Sequence, residues 1–384
     1  MKWEIAKLGK IAIIRTGKLD SNAAVIGGRY PFFTCDPNTL SIDVWAYDTE
    51  AVLLAGNNAS GNYTAKYYKG KFNAYQRTYI IESANEEELN IRYLCYALNQ
   101  QLRLLKTMSS GSTTKFLTVR MLDNLDIPLF GINIQTQIVN ILSAYDDLIE
   151  NNQKQIKLLE EAAQRLYKEW FVDLRFPGHE NTKIVDGVPE GWRVASIADI
   201  CDTVGGGTPS TKIQSYYEKG DILWVTPTDI TRNFSLALLD TEKKITPEGL
   251  KNSSAKMLPA ETILMTSRAS VGFFGMCKYE VCTNQGFISC IPKRKNLQMY
   301  LLFNLKSRVE EIRQKAGGST YLEISKTVFR ELKIILPKDE VLAEYQKDVH
   351  DIFDEIYCRT EMIKSLVDMR NRLLPKLMSG EMEV

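Results

Sequence analysis

Residues 142–170, LSAYDDLIENNQKQIKLLEEAAQRLYKEW, carry the pattern that decides the fold. Apolar residues recur there at steps of three and four, which is the spacing of one stripe along a long amphipathic helix. The same spacing returns in residues 342–377. A narrow stripe over so many turns suits a partner helix better than a globular core, so the sequence predicts two long helices in a coiled coil. Two amphipathic helices that each pack on their own domain are the alternative.

The predicted seam contains two interior polar residues, Asn152 and Arg359. Two homologous copies in one chain tend to associate around a twofold axis, which makes the helices antiparallel. Asn152 is expected to meet Arg359, because a buried polar group without a partner loses its hydrogen bonds to water. This contact selects the register. The predicted seam consists of Leu142, Tyr145, Ile149, Asn152, Ile156, Leu159, Leu166 and Trp170 in one helix and Tyr345, Val349, Ile352, Ile356, Arg359, Ile363 and Leu366 in the other.

Each long helix follows one copy of an internal sequence repeat. Trp3 aligns with Trp192, and the Gly-Ser-Thr at 111–113 aligns with the one at 318–320. The consistent order of such matches favours a duplication. We predict a mixed α/β protein in which two homologous lobes are joined and separated by an antiparallel coiled coil with pseudo-twofold symmetry. The predicted segments are 1–130 (first lobe), 131–175 (long helix), 176–191 (linker), 192–337 (second lobe), 338–378 (long helix) and 379–384 (tail).

The composition is that of an ordinary globular protein, with 44% hydrophobic and 25% charged residues. No apolar run is long enough to span a bilayer and the N-terminus has no apolar signal core, so we expect a cytoplasmic protein without a membrane partner. The net charge of +1 hides an uneven distribution: 3–130 carries +2 and 192–337 carries +6, whereas 131–191 and 338–384 each carry −4. Two basic lobes indicate contact with a polyanion.

Side chains typical of metal and catalytic sites are scarce. The seven cysteines lack Cys-x-x-Cys spacing, and neither His179 nor His350 is near another plausible ligand, so we expect no metal. The stretch VGGGTPSTK (204–212) resembles a phosphate loop, but Thr211 stands before Lys212 where a Walker loop needs glycine. There is no acidic pair with a lysine of nuclease type, no Asn-Pro-Pro-aromatic run and no glycine loop for S-adenosylmethionine. We therefore expect no catalytic residues.

Two basic lobes on long helices suit a protein that touches two separated segments of duplex DNA. Diverged copies could read different half-sites, with the unread gap set by the helices. Lysine and arginine bind phosphates or guanine edges, and asparagine and glutamine suit adenine edges. The candidate DNA-binding residues are Arg15, Lys18, Asn57, Asn58, Gln76, Arg77 and Lys115 in the first lobe and Thr208, Ser210, Thr211, Lys212, Arg268, Asn284, Gln285, Lys293, Arg294 and Lys295 in the second.

These candidates have alternatives. Any one of them could be a solvated or structural side chain, and Gln76 and Gln285 could hold a buried turn. Two tyrosine pairs could lie against sugars or bases: Tyr67 with Tyr68, and Tyr216 with Tyr217. The rival function is a DNA-independent scaffold that binds proteins.

The segment KLLEEAAQRLYKEWFVDLRFP (157–177) resembles the central region of the specificity subunits of type I restriction-modification systems, and LLPKLMSGEMEV (373–384) resembles their C-terminal ending. The openings at Trp3 and Trp192 and the stretch GGGTPST (205–211) are also similar to this family. The resemblance implies two target-recognition domains that each read one half of an asymmetric, gapped double-stranded DNA site, with the two helices as a ruler.

The resemblance also implies partners. Two methyltransferase subunits and the ATP-driven restriction subunits are expected, with S-adenosylmethionine, ATP and Mg²⁺ on those partners and no cofactor in this chain. Acidic residues on the helix flanks are a candidate docking surface for them, with a merely solvated helix face as the alternative; they are Asp146, Asp147, Glu150, Glu160 and Glu161.

Overall fold

A computed structural model describes residues 3–58, 63–108, 115–318 and 321–384, without the side chains of Asn58, Arg103 and Met108. Gly-Ser-Thr 111–113 and the Ser-Thr at 319–320 therefore lie outside the described residues. The chain forms two compact units: the first unit is 1–148 with 366–384, and the second unit is 149–365. Among the described helices, none is long and apolar enough to cross a membrane.

Two long helices dominate the secondary structure. The central helix, Ile132–Tyr167, continues as a π-helical turn at Lys168–Val172, and the C-terminal helix is Asp339–Met378. The shorter α-helices are Leu8–Ile11, Ile91–Met108, Val119–Asp123, Ile197–Ile200, Pro227–Thr231, Pro247–Lys251, Gln298–Ser307, Val309–Gln314 and Lys326–Arg330.

The first lobe is built on a six-stranded sheet. Ile91–Met108 packs on it, and residues such as Leu94 and Leu98 share a core with Val52 and Ile81 of the sheet. In spatial order the strands are Ala12–Thr16, Thr78–Ser83, Tyr47–Ala55, Ala65–Ala74, Tyr30–Phe33 and Leu40–Ile42. Two further pairs are Trp3–Lys7 with Asp126–Phe130, and Asn57–Asn58 with Lys115–Phe116.

The second lobe has smaller sheets. Its main sheet has the spatial order Cys201–Val204, Phe287–Pro292, Ile263–Thr266 and Phe274–Gly275. A second sheet combines Ile222–Val225 with Lys244–Ile245 and Cys282–Thr283, and a pair joins Arg193–Ser196 to Lys333–Leu336. The linker forms a short hairpin from Ile184–Val185 and Val188–Pro189.

The two lobes share one chain path. In each lobe the opening strand pairs antiparallel with the last strand, with Trp3 opposite Phe130 and Arg193 opposite Leu336. A four-residue helix and a second strand follow the opening strand in both lobes, and that second strand borders the main sheet. The short helix before the last strand is capped in both lobes by a hydroxyl, from Thr118 or Ser325. The mixed α/β fold with two homologous lobes is confirmed.

The long helices pack antiparallel. In the second unit Arg359 Nη1 donates to Asn152 Oδ1 at 3.2 Å, which is the contact that the predicted register requires. Farther along the central helix, Ala163 O lies 3.5 Å from the hydroxyl of Tyr345. The residue number therefore rises along one helix and falls along the other, which shows that the two helices are antiparallel. Within the first unit Arg370 Nη1 pairs with Asp146 Oδ1 at 2.6 Å.

The seam is largely buried, but it is not the only buried face of these helices. Phe353, Tyr357 and Thr360 are also buried, and the Thr360 hydroxyl donates to Ser235 Oγ of the second lobe at 3.1 Å. The helices therefore pack on each other and on the lobes, so the two interpretations of the sequence both hold. The seam residues Leu142, Ile149, Asn152, Ile156, Trp170, Tyr345, Val349, Ile356 and Ile363 are buried, and Tyr145, Leu159, Leu166, Ile352, Arg359 and Leu366 are half-buried.

A glycine in each lobe allows two backbone segments to touch. A Cβ on Gly17 would lie 2.1 Å from the carbonyl oxygen of Ala74, and a Cβ on Gly206 would lie 2.1 Å from that of Thr283. Only glycine fits at such a distance. Gly206 belongs to the glycine-rich stretch that resembles a phosphate loop, and its glycine is explained by this close approach.

We expect Asn152→Ala to lower the free energy of unfolding by about 1–3 kcal/mol, because Arg359 would keep its charge in the seam without the carbonyl acceptor. Leucine at both positions should cost less than the single change, since it removes the charge along with its partner. Urea unfolding followed by circular dichroism measures both. The exposed neighbour Gln153→Ala should change stability by less than about 0.5 kcal/mol, and an equal loss there would contradict the role of the pair.

We expect Gly206→Ala to destabilise the second lobe by about 1–3 kcal/mol, because the new methyl group forces the two backbone segments apart. The control is Gly205→Ala in the same loop. The three atoms nearest to a Cβ there all belong to the Lys326 side chain, with Nζ at 3.0 Å, and that flexible side chain can move. Thermal unfolding of the two variants should differ clearly, and equal midpoints would show that the close approach is not a constraint.

Candidate nucleic-acid interface

A tight turn stands at the same place in both lobes. In the first lobe it joins Ala65–Ala74 to Thr78–Ser83, with the Thr78 amide donating to Tyr75 O at 2.8 Å and Gln76 and Arg77 at its tip. The side chains of both tip residues are exposed. The interpretation that this glutamine holds a buried turn is therefore wrong.

The turn of the second lobe joins Cys282–Thr283 to Phe287–Pro292. Its Asn284 Oδ1 accepts from the Gly286 amide at 2.8 Å, which fixes the turn and leaves Gln285 exposed at the tip. The buried-turn interpretation is wrong for Gln285 too.

The loop after the close-packed glycine lies beside this turn. In the first lobe the Gln76 amide donates to Leu19 O at 2.8 Å. In the second lobe the hydroxyl of Thr208 donates to Oε1 of Gln285, and the Gly207 amide donates to Thr283 O at 2.9 Å. The glycine-rich stretch therefore positions polar side chains next to the glutamine.

Two more segments complete the arrangement in the first lobe. The Gly56 amide donates to Arg77 O at 2.8 Å, and the Leu117 amide donates to Gly56 O at 2.8 Å. Asn57 then pairs with Phe116 across a two-residue strand.

The second lobe repeats these bonds at equivalent positions. The Ser267 amide donates to Gly286 O at 2.8 Å, and the Ile324 amide donates to Ser267 O at 3.0 Å. Arg268 then forms a β-bridge with Glu323. We call these segments the turn cluster: 17–19, 56–58, 75–77 and 115–117 in the first lobe, and 206–208, 267–269, 284–286 and 322–324 in the second.

Most candidate residues of the sequence analysis fall in or beside the turn cluster. Those exposed at its surface are Lys18, Gln76, Arg77, Thr208, Arg268 and Gln285; the half-buried members are Asn57, Lys115 and Asn284. Ser210, Thr211 and Lys212 follow Thr208 and are exposed. The side chain of Asn58 lies outside the described part of the chain, although its backbone pairs with Lys115.

Arg15 lies one strand away and its charge is already balanced. Its guanidinium pairs with Glu82 at 2.8 Å and lies over the ring of Tyr47 at 5.1 Å. Glu50, Glu82 and Glu86 line the adjacent cavity of about 610 Å³. An anion would meet this acidic surface, so Arg15 is poorly placed to hold a phosphate.

The run Lys293–Lys295 does not join the turn cluster. It begins after Pro292, at the end of the strand Phe287–Pro292 that is opposite to Gln285, about 20 Å away at ~3.4 Å per residue. Lys293 Nζ donates to Ala198 O at 2.7 Å, and Arg294 pairs with Asp339 at 2.6 Å. These three residues therefore lie apart from the turn cluster, because sequence distance does not show which end of a strand a residue occupies, and their contact with DNA stays a prediction.

Members of both tyrosine pairs make contacts within the protein. Tyr67 donates to Glu50 at 2.9 Å, and burial together with this bond raises the pKa of Tyr67 to about 12. Tyr68 packs on Phe33 at 5.3 Å, and Tyr217 donates to Pro209 O at 2.6 Å. Tyr321 lies next to the turn cluster of the second lobe, with its ring centre 5.9 Å from Arg268 Cζ. Nothing in the sequence singled it out, although it directly follows the second Gly-Ser-Thr.

His350 has neighbours that the sequence did not reveal. Its Nε2 lies 3.3 Å from Glu261 Oε1, its Nδ1 lies 3.3 Å from Asp354 Oδ2, and Lys278 Nζ is 2.6 Å from Asp354 Oδ1. Desolvation opposes ionisation of Asp354, but the hydrogen bond from Lys278 and the charges of His350 and Lys278 hold the pKa of this carboxyl below its usual range. The expectation that His350 is not near another plausible metal ligand is therefore wrong, because Glu261, His350 and Asp354 bring ligand atoms within 4.8 Å of one another. Lys278, which pairs with Asp354, adds a positive charge to this group.

Several acidic residues proposed as a docking surface are used within the chain. Asp146 pairs with Arg370, Asp147 pairs with Arg92 at 3.2 Å, and Glu160 accepts from the Leu236 amide at 2.7 Å. These three carboxylates thus have partners within the chain, and the docking surface stays a prediction. Glu150 and Glu161 are exposed.

Comparisons with known proteins agree with the duplicated architecture. The family described as "Type I restriction modification DNA specificity domain" matches residues 1–161 and again 189–367. The match to two segments in one chain is the sequence counterpart of the two lobes.

Relatives of this chain carry related names. The "Type I restriction enzyme MjaIX specificity subunit" of Methanocaldococcus jannaschii is 38% identical over 173 residues, 44% of this chain and 39% of that protein. The "Type I restriction enzyme EcoDI specificity subunit" of Escherichia coli is 32% identical over 224 residues, 52% of this chain and 49% of that protein. The chain thus spans half or less of the length of these relatives. The HindI specificity subunit of Haemophilus influenzae is 24% identical over 75% of this chain and 76% of that protein.

The fold itself has a solved counterpart. The crystal structure of a type I restriction-modification S subunit from M. genitalium superposes with a TM-score of 0.61 at 17% identity and covers 98% of this chain and 96% of that chain. With both segments matched by the family and the same two-lobe architecture present, this chain belongs to the type I restriction-modification DNA specificity family.

Proposed function

We propose that this chain is the non-catalytic DNA-reading subunit of a type I restriction-modification complex. Each lobe reads one half of a two-part, asymmetric site in double-stranded DNA. The long helices set the length of the unread gap, and partner subunits carry out methylation and cleavage.

The observation that carries this proposal is the repeated turn cluster. Each lobe uses the same pattern of backbone hydrogen bonds to present polar and basic side chains at its surface, including Gln76 and Arg77 in one lobe and Arg268 and Gln285 in the other. These backbone hydrogen bonds make the protein segment that carries the side chains rigid. A rigid segment supports direct contact between the side chains and the edges of the DNA bases. The side chains differ between lobes, so the two half-sites differ in sequence.

The chemistry of these side chains suits the grooves of DNA. Asparagine and glutamine can form two hydrogen bonds with adenine, and arginine can do so with guanine. Lys18 and Lys212 are exposed beside the turn clusters and suit phosphate contacts, which position a protein without reading sequence. Arg15 and Arg294 are left out of this interface because they lie outside the turn clusters, where they pair with Glu82 at 2.8 Å and Asp339 at 2.5 Å.

The long helices suit a spacer. The central helix has 36 residues and is therefore about 54 Å long at ~1.5 Å per residue. One turn of duplex DNA is ~34 Å, so an element of this length can bridge more than one turn. The pair Asn152–Arg359 holds the register, which would keep the gap constant.

The partner subunits are inferred from the family. Relatives of this chain are named as specificity subunits of type I restriction enzymes. We infer that methyltransferase and restriction subunits bind S-adenosylmethionine, ATP and Mg²⁺. The role of this chain is then to recognise the target sequence in DNA.

Selection from a library of random-sequence duplexes should yield sites with two fixed blocks and a gap of constant length. The affinity for a selected duplex should fall at least about tenfold between 50 and 200 mM salt, because phosphate contacts release counterions. Lys18→Ala, which removes a proposed phosphate contact, should make this dependence shallower, whereas the control Lys183→Ala, in the linker, should leave it unchanged. A chain that enriches no duplex, or binds DNA without salt dependence, is the scaffold of the rival interpretation.

Inserting a seam-preserving heptad after Leu148 and another after Ser365 should lengthen the selected gap by about 3 base pairs. Seven residues add about 10 Å of helix, and each base pair occupies ~3.4 Å. Seven residues inserted after Gly187, in the linker turn, are the control and should not change the gap. If the helix insertions leave the gap at its original length, the helices do not act as the spacer.

A further inference from the structure

Asn57 in the first lobe and Arg268 in the second occupy the same position of the shared turn cluster. Each follows the residue whose amide donates to the turn, Gly56 to Arg77 O and Ser267 to Gly286 O, both at 2.8 Å. Asn57 pairs with Phe116 across its strand, and Arg268 pairs with Glu323 in the equivalent bridge.

Arg268 lies in a turn whose backbone is fixed by several hydrogen bonds. Ala269 adopts a left-handed conformation with φ 60°, which is costly for a residue with a Cβ. The surrounding bonds impose it, since the Ala269 amide donates to Leu322 O at 2.8 Å and the Ser270 amide donates to Arg268 O at 2.7 Å. Backbone strain that is fixed in this way is a common property of functional sites.

The guanidinium of Arg268 is also oriented. Its Nε lies 3.6 Å from Glu323 Oε2, with the two side chains 46% and 49% exposed, and its Cζ lies 5.9 Å from the centre of the Tyr321 ring. An aromatic face and a carboxylate together restrict a planar cation to few orientations. The ion pair uses Nε, so the terminal Nη groups can still donate a parallel pair of hydrogen bonds.

The carboxylate of Glu323 argues against a phosphate as the main ligand of Arg268. A second anion beside Glu323 is repelled, whereas a neutral base edge is not. Guanine offers two acceptors, O6 and N7, in the geometry of an arginine fork, and adenine offers the donor and acceptor that an asparagine amide matches.

We propose that this shared position determines specificity in both lobes, so that Asn57 reads an adenine in one half-site and Arg268 reads a guanine in the other. Tyr321 and Glu323 are positioning residues for Arg268. The inference rests on the proposed function and adds to it which residue reads which base.

The test compares duplexes selected by the whole wild-type chain with those selected by Arg268→Asn and by Asn57→Arg. Arg268→Asn should lose the preference for guanine at one base pair of one half-site by roughly 5- to 150-fold and gain adenine there. Asn57→Arg should cause the reverse change at one base pair of the other half-site. The remaining positions of both half-sites and the gap should stay the same.

The positioning residues have their own variants. Glu323→Gln and Tyr321→Ala should broaden the choice of base at the Arg268 position while the other half-site stays as in the wild type. Tyr321→Phe retains the aromatic ring, so the preference for guanine at this position should be retained. Lys295→Asn is the matched control, because it removes a basic residue of the same lobe that lies outside the turn cluster.

Each outcome decides between the two proposals. A wild-type chain that selects a two-part site, with variants that select the same bases, overturns the assignment and leaves the proposed function standing. A uniform loss of affinity without a change of base preference also overturns it, since that is the effect of a lost phosphate contact. A wild-type chain that selects no DNA overturns both. If Arg268→Asn fails to fold, Arg268→Lys must lose the guanine preference instead, and a retained preference overturns the assignment.

Discussion

The hydrogen bond between Asn152 and Arg359 is the constraint on which the rest of this structure depends. Apolar seams can slide by one heptad with little change in buried area, but a polar pair matches in one register only. Once that register is set, each lobe receives residues from far along the chain. Leu377 and Met378 join the core of the first lobe. Tyr167 bonds to Asn304 of the second lobe at 2.7 Å.

The helices are therefore part of each lobe's core as well as a connection. The Tyr345 ring lies 5.7 Å from Trp170 and 4.8 Å from Phe171, and Phe171 packs on Trp192 at the start of the second lobe. Aromatic contacts of this kind combine a large buried area with a defined geometry. Each lobe therefore needs the long helices to complete its core.

The turn clusters show which features the two lobes share and which have diverged. Both lobes have a glycine at the close approach of two main chains, Gly17 or Gly206, because a Cβ does not fit there. The amide bonds made by Gly56 and Leu117 in the first lobe recur at Ser267 and Ile324 in the second. The side chains that project from this backbone are free to diverge. Asn57 and Arg268 illustrate such a divergence, because they are different residues at equivalent positions of the two turn clusters.

The periodicity of residues 142–170 and 342–377 determined by itself that long helices pair, and the two polar residues of the seam identified the register, since helical spacing and the cost of an unpaired buried group are local properties of the sequence. The order of repeated segments likewise indicated two lobes. Only the tertiary structure decided where each charge stands. Arg15, Arg294 and Arg268 look equal in the sequence, and each pairs with an acid, at 2.8, 2.5 and 3.6 Å. Of these three, Arg268 is the one that lies in a turn cluster, because the fold alone decides which distant residues come together.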